Sequence, residues 1–178
     1  MNNIASVKTI RQNITIIQAH PGIYRWWFPV NKAKKIIWKL GGRYDIDELL
    51  HKHIDGNDYV ALYFGEAGGK GLLRRIEDHL TQTHTPSLVR HGGLSILRQT
   101  LCAIEGLDMS SKEGEDRVNA IMNECWLEWD YTNDAQEAKT LESKELSTNC
   151  YPLNIQKNTL ADNIATARLK ELRKTHKK

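Results

Sequence analysis

No Cys-x-x-Cys pair occurs in this chain, and its three cysteines, Cys102, Cys125 and Cys150, are odd in number and far apart. That pattern argues against a zinc site and against a disulfide framework. It points to reduced thiols in a cytoplasmic protein, packed as small apolar residues. No apolar run approaches the length of a membrane span, and the polar start Met1-Asn2-Asn3 lacks a signal-peptide pattern. Internal repeats, low-complexity tracts and interdomain linkers are missing too, so the 178 residues are expected to form one domain around one core. Nor is there a large charge excess. A net charge of +3, with 26% charged and 40% hydrophobic residues, does not by itself imply a nucleic-acid partner.

The distribution of charge says more. Lys32, Lys34, Lys35, Lys39 and Arg43 cluster early, and Arg74, Arg75, Arg90 and Arg98 lie in the middle. Arg168, Lys170, Arg173, Lys174, Lys177 and Lys178 crowd the C-terminus, while Glu105 to Asp134 is mainly acidic. Such segregation suits one phosphate-facing surface, against the plainer alternative of solvated helix faces and a basic tail.

Hydrophobic periodicity gives a coarse order of elements. Ile14 to Ile17 reads as a short strand or a helix end. Gly22 to Phe28 reads as a strand stopped by Pro29. Lys32 to Leu40 is helical, stopped by Gly41-Gly42, and Asp45 to Ile54 reads as a second short helix closed by Asp55-Gly56. Tyr59 to Phe64 is a second strand, Gly65 to Gly71 a turn, and Leu72 to Leu80 a helix with Leu72, Leu73, Ile76 and Leu80 inward. Helices follow at Leu94 to Ile104 and, behind a Ser110-x-x-Glu113 capping box, to about Asn123. Cys125 to Tyr131 alternates as a third strand. Asp134-x-x-Glu137 is a second capping box, opening a helix to about Leu146. Tyr151 to Asn154 is a turn, and Leu160 to Lys174 a final basic helix with Leu160, Ile164, Ala167 and Leu172 as its apolar stripe. The expected fold class is α+β, a small three-stranded antiparallel sheet flanked by helices, with a helical insertion between the first two strands.

Two segments carry the functional signal: Pro21-Gly22-Ile23-Tyr24-Arg25, and Leu62-Tyr63-Phe64-Gly65-Glu66-Ala67 followed by Leu72 to Leu80. The order is tyrosine strand, second tyrosine strand, Gly-rich turn, helix with an arginine, and later a helix with a glutamate. It resembles the GIY-YIG nuclease family, metal-dependent enzymes that cut nucleic-acid phosphodiesters, most closely in spacing its restriction-enzyme and excision-repair members. The resemblance covers about residues 20–157, with 1–19 as an N-terminal extension, an insertion at about 30–57, and 158–178 as a basic C-terminal helix. It implies a three-stranded central sheet and Mg²⁺ or Mn²⁺ as cofactor. The expected partner is nucleic acid, DNA in the first instance, with no membrane involved.

The resemblance also assigns roles. Phosphodiester hydrolysis needs an activated water, positive charge on the five-coordinate phosphate, and a stabilised leaving oxygen. Tyr24 matches the tyrosine that meets the attacking water, as base or through its hydrogen bond, and Tyr63 the one that lines the phosphate. Without the family match both would read as half-buried strand aromatics. Arg75, in Leu72-x-x-Arg75-Ile76-x-x-His79-Leu80, matches the family arginine, whose planar fork suits two phosphate oxygens. Arg74 is one place out of register and reads as a backbone contact or solvated residue. His79, one turn after Arg75, could shuttle a proton or hold the phosphate.

Glu142, in Glu137-Ala138-x-x-Leu141-Glu142, matches the carboxylate presented to the metal, which is sensible because Mg²⁺ keeps waters and accepts phosphate oxygens. Glu137 and Glu145 compete with it. Asn154 matches the asparagine that closes the motif, holding the loop and orienting a phosphate or the glutamate helix. The turn Gly65 to Gly71 is not a phosphate loop, being one residue short and lacking the following Ser or Thr. Glu66 stands where the family often has lysine or a small polar residue, and Lys70 could supply the missing cation. Arg168, Arg173 and Lys174, with Arg74 and Lys70, are candidate nucleic-acid contacts. A chain that kept this fold for binding and lost turnover is the alternative to an endonuclease.

Overall fold

A computed structural model describes residues 1–177; Lys178, counted above in the basic C-terminus, lies outside the described residues. The centre is a single antiparallel sheet of five strands in the order β1-β5-β2-β4-β3. In chain order these are β1 (Asn3–Ser6), β2 (Gly22–Pro29), β3 (His51–Ile54), β4 (Asn57–Ala67) and β5 (Trp126–Tyr131). The helices are α1 (Val7–Gln12), α2 (Val30–Leu40), α3 (Gly71–Thr81), α4 (Pro86–Arg90), α5 (Ile96–Ile104), α6 (Lys112–Met122), α7 (Ala135–Thr148) and α8 (Asn163–Thr175). The α+β class holds, but the sheet has five strands where the sequence led us to expect three.

Both additional strands are short edges. β1 comes from the first six residues and pairs with β5. β3 replaces the second inserted helix: Ile46–Glu48 forms only a single 3-10 turn, and His51–Ile54 then pairs back onto β4. Asp55-Gly56, taken above as a helix stop, is the hairpin turn, with φ of 47° and 77° at its two residues. Positive φ at both central positions is the geometry that matches the twist of hairpin strands, and Asp-Gly supplies it. Other boundaries moved less. Ile14–Ile16 is a 3-10 turn, α4 was not anticipated, and β4 runs on to Ala67. The cap of α6 is Ser111, whose Oγ accepts from the Gly114 N–H, rather than Ser110.

Side chains alternate cleanly along β2. Tyr24, Trp26 and Phe28 face the main core under α2, α3 and α5, whereas Trp27 joins a second cluster with Phe64, Leu146 and Tyr151 beneath α7. Along β4 the alternation is reset by a bulge: Trp26 pairs with Tyr63 and Trp27 with Ala61, leaving Leu62 as the extra residue. An extra residue turns the rest of the strand over. Tyr63 therefore shares the face of Tyr24 rather than that of Tyr59 and Ala61. The sequence-level alternation of β4 gives no warning of this.

Two glycines make the tyrosine face possible. Gly65 lies opposite Tyr24 across the β2–β4 pair, and a Cβ there would come within 2.5 Å of the Tyr24 hydroxyl. A Cβ on Gly22 would come within 2.3 Å of the Asp130 carbonyl oxygen on β5 and 2.4 Å of Leu72 Cδ1, so a side chain there would disturb the β2–β5 pairing. No helix of the described residues is long and apolar enough to cross a membrane.

Candidate active site

Of the six residues singled out, Tyr24, Tyr63, Arg75 and His79 meet between β2, β4 and α3. Tyr24 is completely buried, and its hydroxyl is the hub. Arg75 Nε donates to it at 3.1 Å, and His79 Nε2 is hydrogen-bonded to it at 2.8 Å. The other ring nitrogen of His79, Nδ1, lies 2.5 Å from Ser95 Oγ, and the Ser95 N–H donates to Gln82 Oε1 at 2.6 Å. Arg98 from α5 adds a bond from Nη1 to the His79 carbonyl at 2.9 Å. Helix spacing explains the convergence, since Arg75 and His79 are one turn apart on α3 and present to the same tyrosine.

Burial fixes the protonation states. Desolvation, reinforced by Tyr63, holds the Tyr24 phenol well above its usual value, with Arg75 opposing. Desolvation and the two guanidinium groups of Arg75 and Arg98 hold His79 well below the ordinary imidazole range. Both rings are therefore neutral near pH 7. Arg75 is raised instead, chiefly by Tyr24, so it stays a cation. Its one hydrogen bond of ordinary geometry among the described residues uses Nε, and the guanidinium also lies close to the Tyr63 hydroxyl.

Arg75 borders a cavity of about 270 Å³, lined also by Tyr63, Glu66, Glu142, Asn154, Lys157 and Arg173 among others. Tyr24 and His79 are not in its wall; they stand behind Tyr63 and Arg75. Of the two tyrosines, Tyr63 is the one that lines this cavity.

The three competing glutamates of α7 separate by their partners. Glu137 Oε2 accepts from the Asn133 N–H at 2.7 Å, as part of the cap led by Asp134. Glu145 Oε1 accepts from Arg25 Nη2 at 2.7 Å and from the Tyr151 hydroxyl at 2.5 Å, on the far face of the sheet. Glu142 alone of the three lines the cavity, where Oε2 pairs with Lys157 Nζ at 2.6 Å.

Asn154 is committed to structure. Its Oδ1 accepts from the Phe64 N–H at 2.9 Å and its Nδ2 donates to the Phe64 carbonyl at 2.8 Å, so the amide pairs with β4 as a neighbouring strand would. It holds the loop over the cavity, but both polar atoms are engaged. The outer candidates divide further. Arg74 is exposed and paired with Glu77 at 3.0 Å and Asp78 at 3.1 Å, and Arg168 pairs with Glu171 at 2.8 Å. Lys70 and Lys174 are exposed. Arg98, counted above in the phosphate-facing set, is fully buried, with its Nη2 unpartnered.

Ser95, Gln82 and Lys157 were missed from sequence because none sits in a motif. Arg173 was named, but for the wrong face. The stripe of α8 is Ala165, Leu169 and Leu172, while Leu160 and Ile164 are half exposed. Arg173, four residues after Leu169, is consequently turned toward the domain.

The GIY-YIG catalytic domain model matches residues 22–175. The chain belongs to the GIY-YIG family. The match takes in β2, β4, α3, α7 and the whole of α8. Searches of the curated proteins and of the solved structures found no match. Members of this family are nucleases that generally use a divalent metal, so the chain has a nuclease-type fold and an implied nucleic-acid substrate.

The donor set of the cavity decides whether it suits such an ion. Besides Glu142 it contains Glu66, whose Oε2 is buried without a hydrogen-bond partner. Among the described residues no group of three or more His, Cys, Asp or Glu side chains forms a metal cage. One or two carboxylates beside open volume for waters and phosphate oxygens is what Mg²⁺ or Mn²⁺ accepts. The residues fit.

Proposed function

We propose that this GIY-YIG protein is a divalent-metal-dependent endonuclease acting on DNA by direct attack of water on a phosphodiester. The observation that carries the proposal is the cavity itself. An arginine guanidinium, a tyrosine hydroxyl and a metal-competent carboxylate share one small space.

Glu142, with Glu66 on the same wall, would hold the ion, and Lys157 would give up its pairing with Glu142 to do so. When bound, the metal supplies an acidified water and neutralises phosphate charge. Arg75 directs Nη1 and Nη2 at the phosphate oxygens, where charge accumulates in the five-coordinate transition state. Tyr63 orients the water through its hydroxyl. Tyr24 does not act as the base at rest, because its proton is held by burial. It fixes the Arg75 fork through Nε, and His79 with Ser95 fixes Tyr24 in turn. A preorganised donor costs no reorganisation during the reaction, which is the value of three buried residues behind one arginine. Asn154 keeps the loop that carries Lys157 over the site.

One contact favours the alternative of a binding module without turnover: the Lys157–Glu142 ion pair occupies the carboxylate the metal would use. Nicking of supercoiled plasmid separates the two. Activity is expected with Mg²⁺ or Mn²⁺ and not with EDTA. Glu142→Gln, which keeps the side chain's shape and loses the ion pair with the half-exposed Lys157, is expected to abolish both nicking and Mn²⁺ binding with little change in the thermal melt. DNA binding by the wild-type protein with no nicking in either metal would leave the binding module.

A further inference from the structure

Three cations and two carboxylates line the cavity, and the pairing among them is uneven. Lys157 is matched to Glu142. Arg75 is held only through Nε. Arg173, from the last turns of α8, has no carboxylate within ion-pair distance among the described residues. Its one hydrogen bond is a long one, from Nη2 to Gln99 Oε1 at 3.4 Å. Gln99 is itself oriented, its Nε2 donating to the Leu94 carbonyl at 2.6 Å. Burial lowers the Arg173 pKa and the proximity of Tyr63 opposes it, which places the group beside the tyrosine that faces the substrate. An uncompensated, partly desolvated guanidinium is costly unless something anionic completes it. Here nothing in the described chain does.

Resting on the nuclease reading above, we propose that Arg173 is a second substrate-binding arginine, closing with Arg75 on the phosphate that enters this cavity. At about 270 Å³ the space is small beside pockets that take drug-sized ligands, which span roughly 300–1,000 Å³. It admits a backbone phosphate with its waters, not a base pair. Two arginines from different helices then fix the phosphate's orientation, because each fork can engage two oxygens. The C-terminal helix becomes part of the active site: α8 packs against α5 and α2 through Ala165, Leu169 and Leu172, and that docking delivers Arg173.

The test compares Arg173→Ala, Arg173→Met and Arg168→Ala with wild type, using duplex DNA binding by anisotropy at several salt concentrations and single-turnover nicking. Arg173→Met preserves the packing of the side-chain stem, so a folding defect confined to the alanine variant does not obscure the result. Both Arg173 variants are expected to bind DNA about 10- to 100-fold more weakly, as losing charge-assisted hydrogen bonds should do. The salt slope should fall by about 0.9, and the nicking rate at saturating DNA should drop as well. Arg168, already paired with Glu171, should change affinity far less. Wild-type nicking with Arg173→Met indistinguishable from Arg168→Ala would overturn the assignment and leave the nuclease proposal standing. A wild type that neither binds nor nicks DNA would sink the nuclease proposal, and this one with it.

Discussion

Tyr24 and Arg25 are adjacent on β2 and point to opposite faces of the sheet, and the two faces treat charge in opposite ways. Beneath α7, every donor group of Arg25 is spent. Nε donates to the Tyr151 hydroxyl at 2.8 Å, Nη1 to Glu128 at 3.2 Å and Nη2 to Glu145 at 2.7 Å. Glu128 is further satisfied by Trp27 Nε1 and Lys52. The guanidinium also lies over the rings of Trp27, Phe64 and Tyr151. On the other face Arg75 and Arg173 have donors to spare. A closed network stabilises; an open one waits for a ligand. Glu145 belongs to the first and Glu142, one turn earlier on the same helix, to the second, so anchoring α7 by one glutamate also aims the other.

The largest expected effect tests the closed face. Arg25→Ala leaves Glu128, 3% exposed, short of one partner and removes the cation from Glu145, which keeps only the Tyr151 hydroxyl and Asn149 Nδ2. Breaking a buried pair by removing one partner costs about 3–5 kcal/mol, and the partial exposure of Glu145 places this case near the lower end. Urea unfolding should show that loss, while turnover per folded molecule should change much less. Unchanged stability would mean the network is ornamental and Glu142 is positioned by something else.

A smaller effect comes from the buried histidines behind the open face. Burial and Arg98 lower His84 to about 4, and His79 lies well below the usual range for the reasons given above. In the unfolded chain both titrate near pH 6.5. Between about pH 6.5 and 4 the unfolded state therefore binds more protons than the native one, and stability falls with pH. The urea midpoint should be flat above pH 7 and decline through that window, and His84→Gln should soften the decline. A midpoint constant from pH 7.5 to 5 would mean these histidines are not buried neutral.

Much of this arrangement was legible in the chain, and what was hidden has physical causes. The tyrosine strands and the apolar stripe of α3 follow from aromatic alternation and i to i+4 spacing, and the start of α7 from its capping box, whereas Arg75 and Glu142 were singled out only through the family resemblance. β1 and β3 were not visible because short edge strands have little burial to impose a pattern, and His51-Lys52-His53-Ile54 carries almost none. The bulge at Leu62 leaves no mark in sequence, although it decides which face Tyr63 occupies. Ser95 could be found only through the fold, because its partner His79 is bonded across the gap between α3 and α5. For α8 the exposed Leu160 and Ile164 imitated a docking stripe, and that misplacement turned Arg173 outward on paper.

The central claim is that Arg75, which lines the cavity and is held only through Nε, acts on the transition state, whereas Arg25, engaged through all three nitrogens, is structural. Single-turnover nicking by Arg75→Ala at saturating DNA, beside its DNA affinity and thermal melt, tests this most directly. A rate lower by roughly 10²- to 10³-fold is expected, with a much smaller change in affinity and an intact fold. A rate equal to wild type, with weakened binding alone, would contradict it.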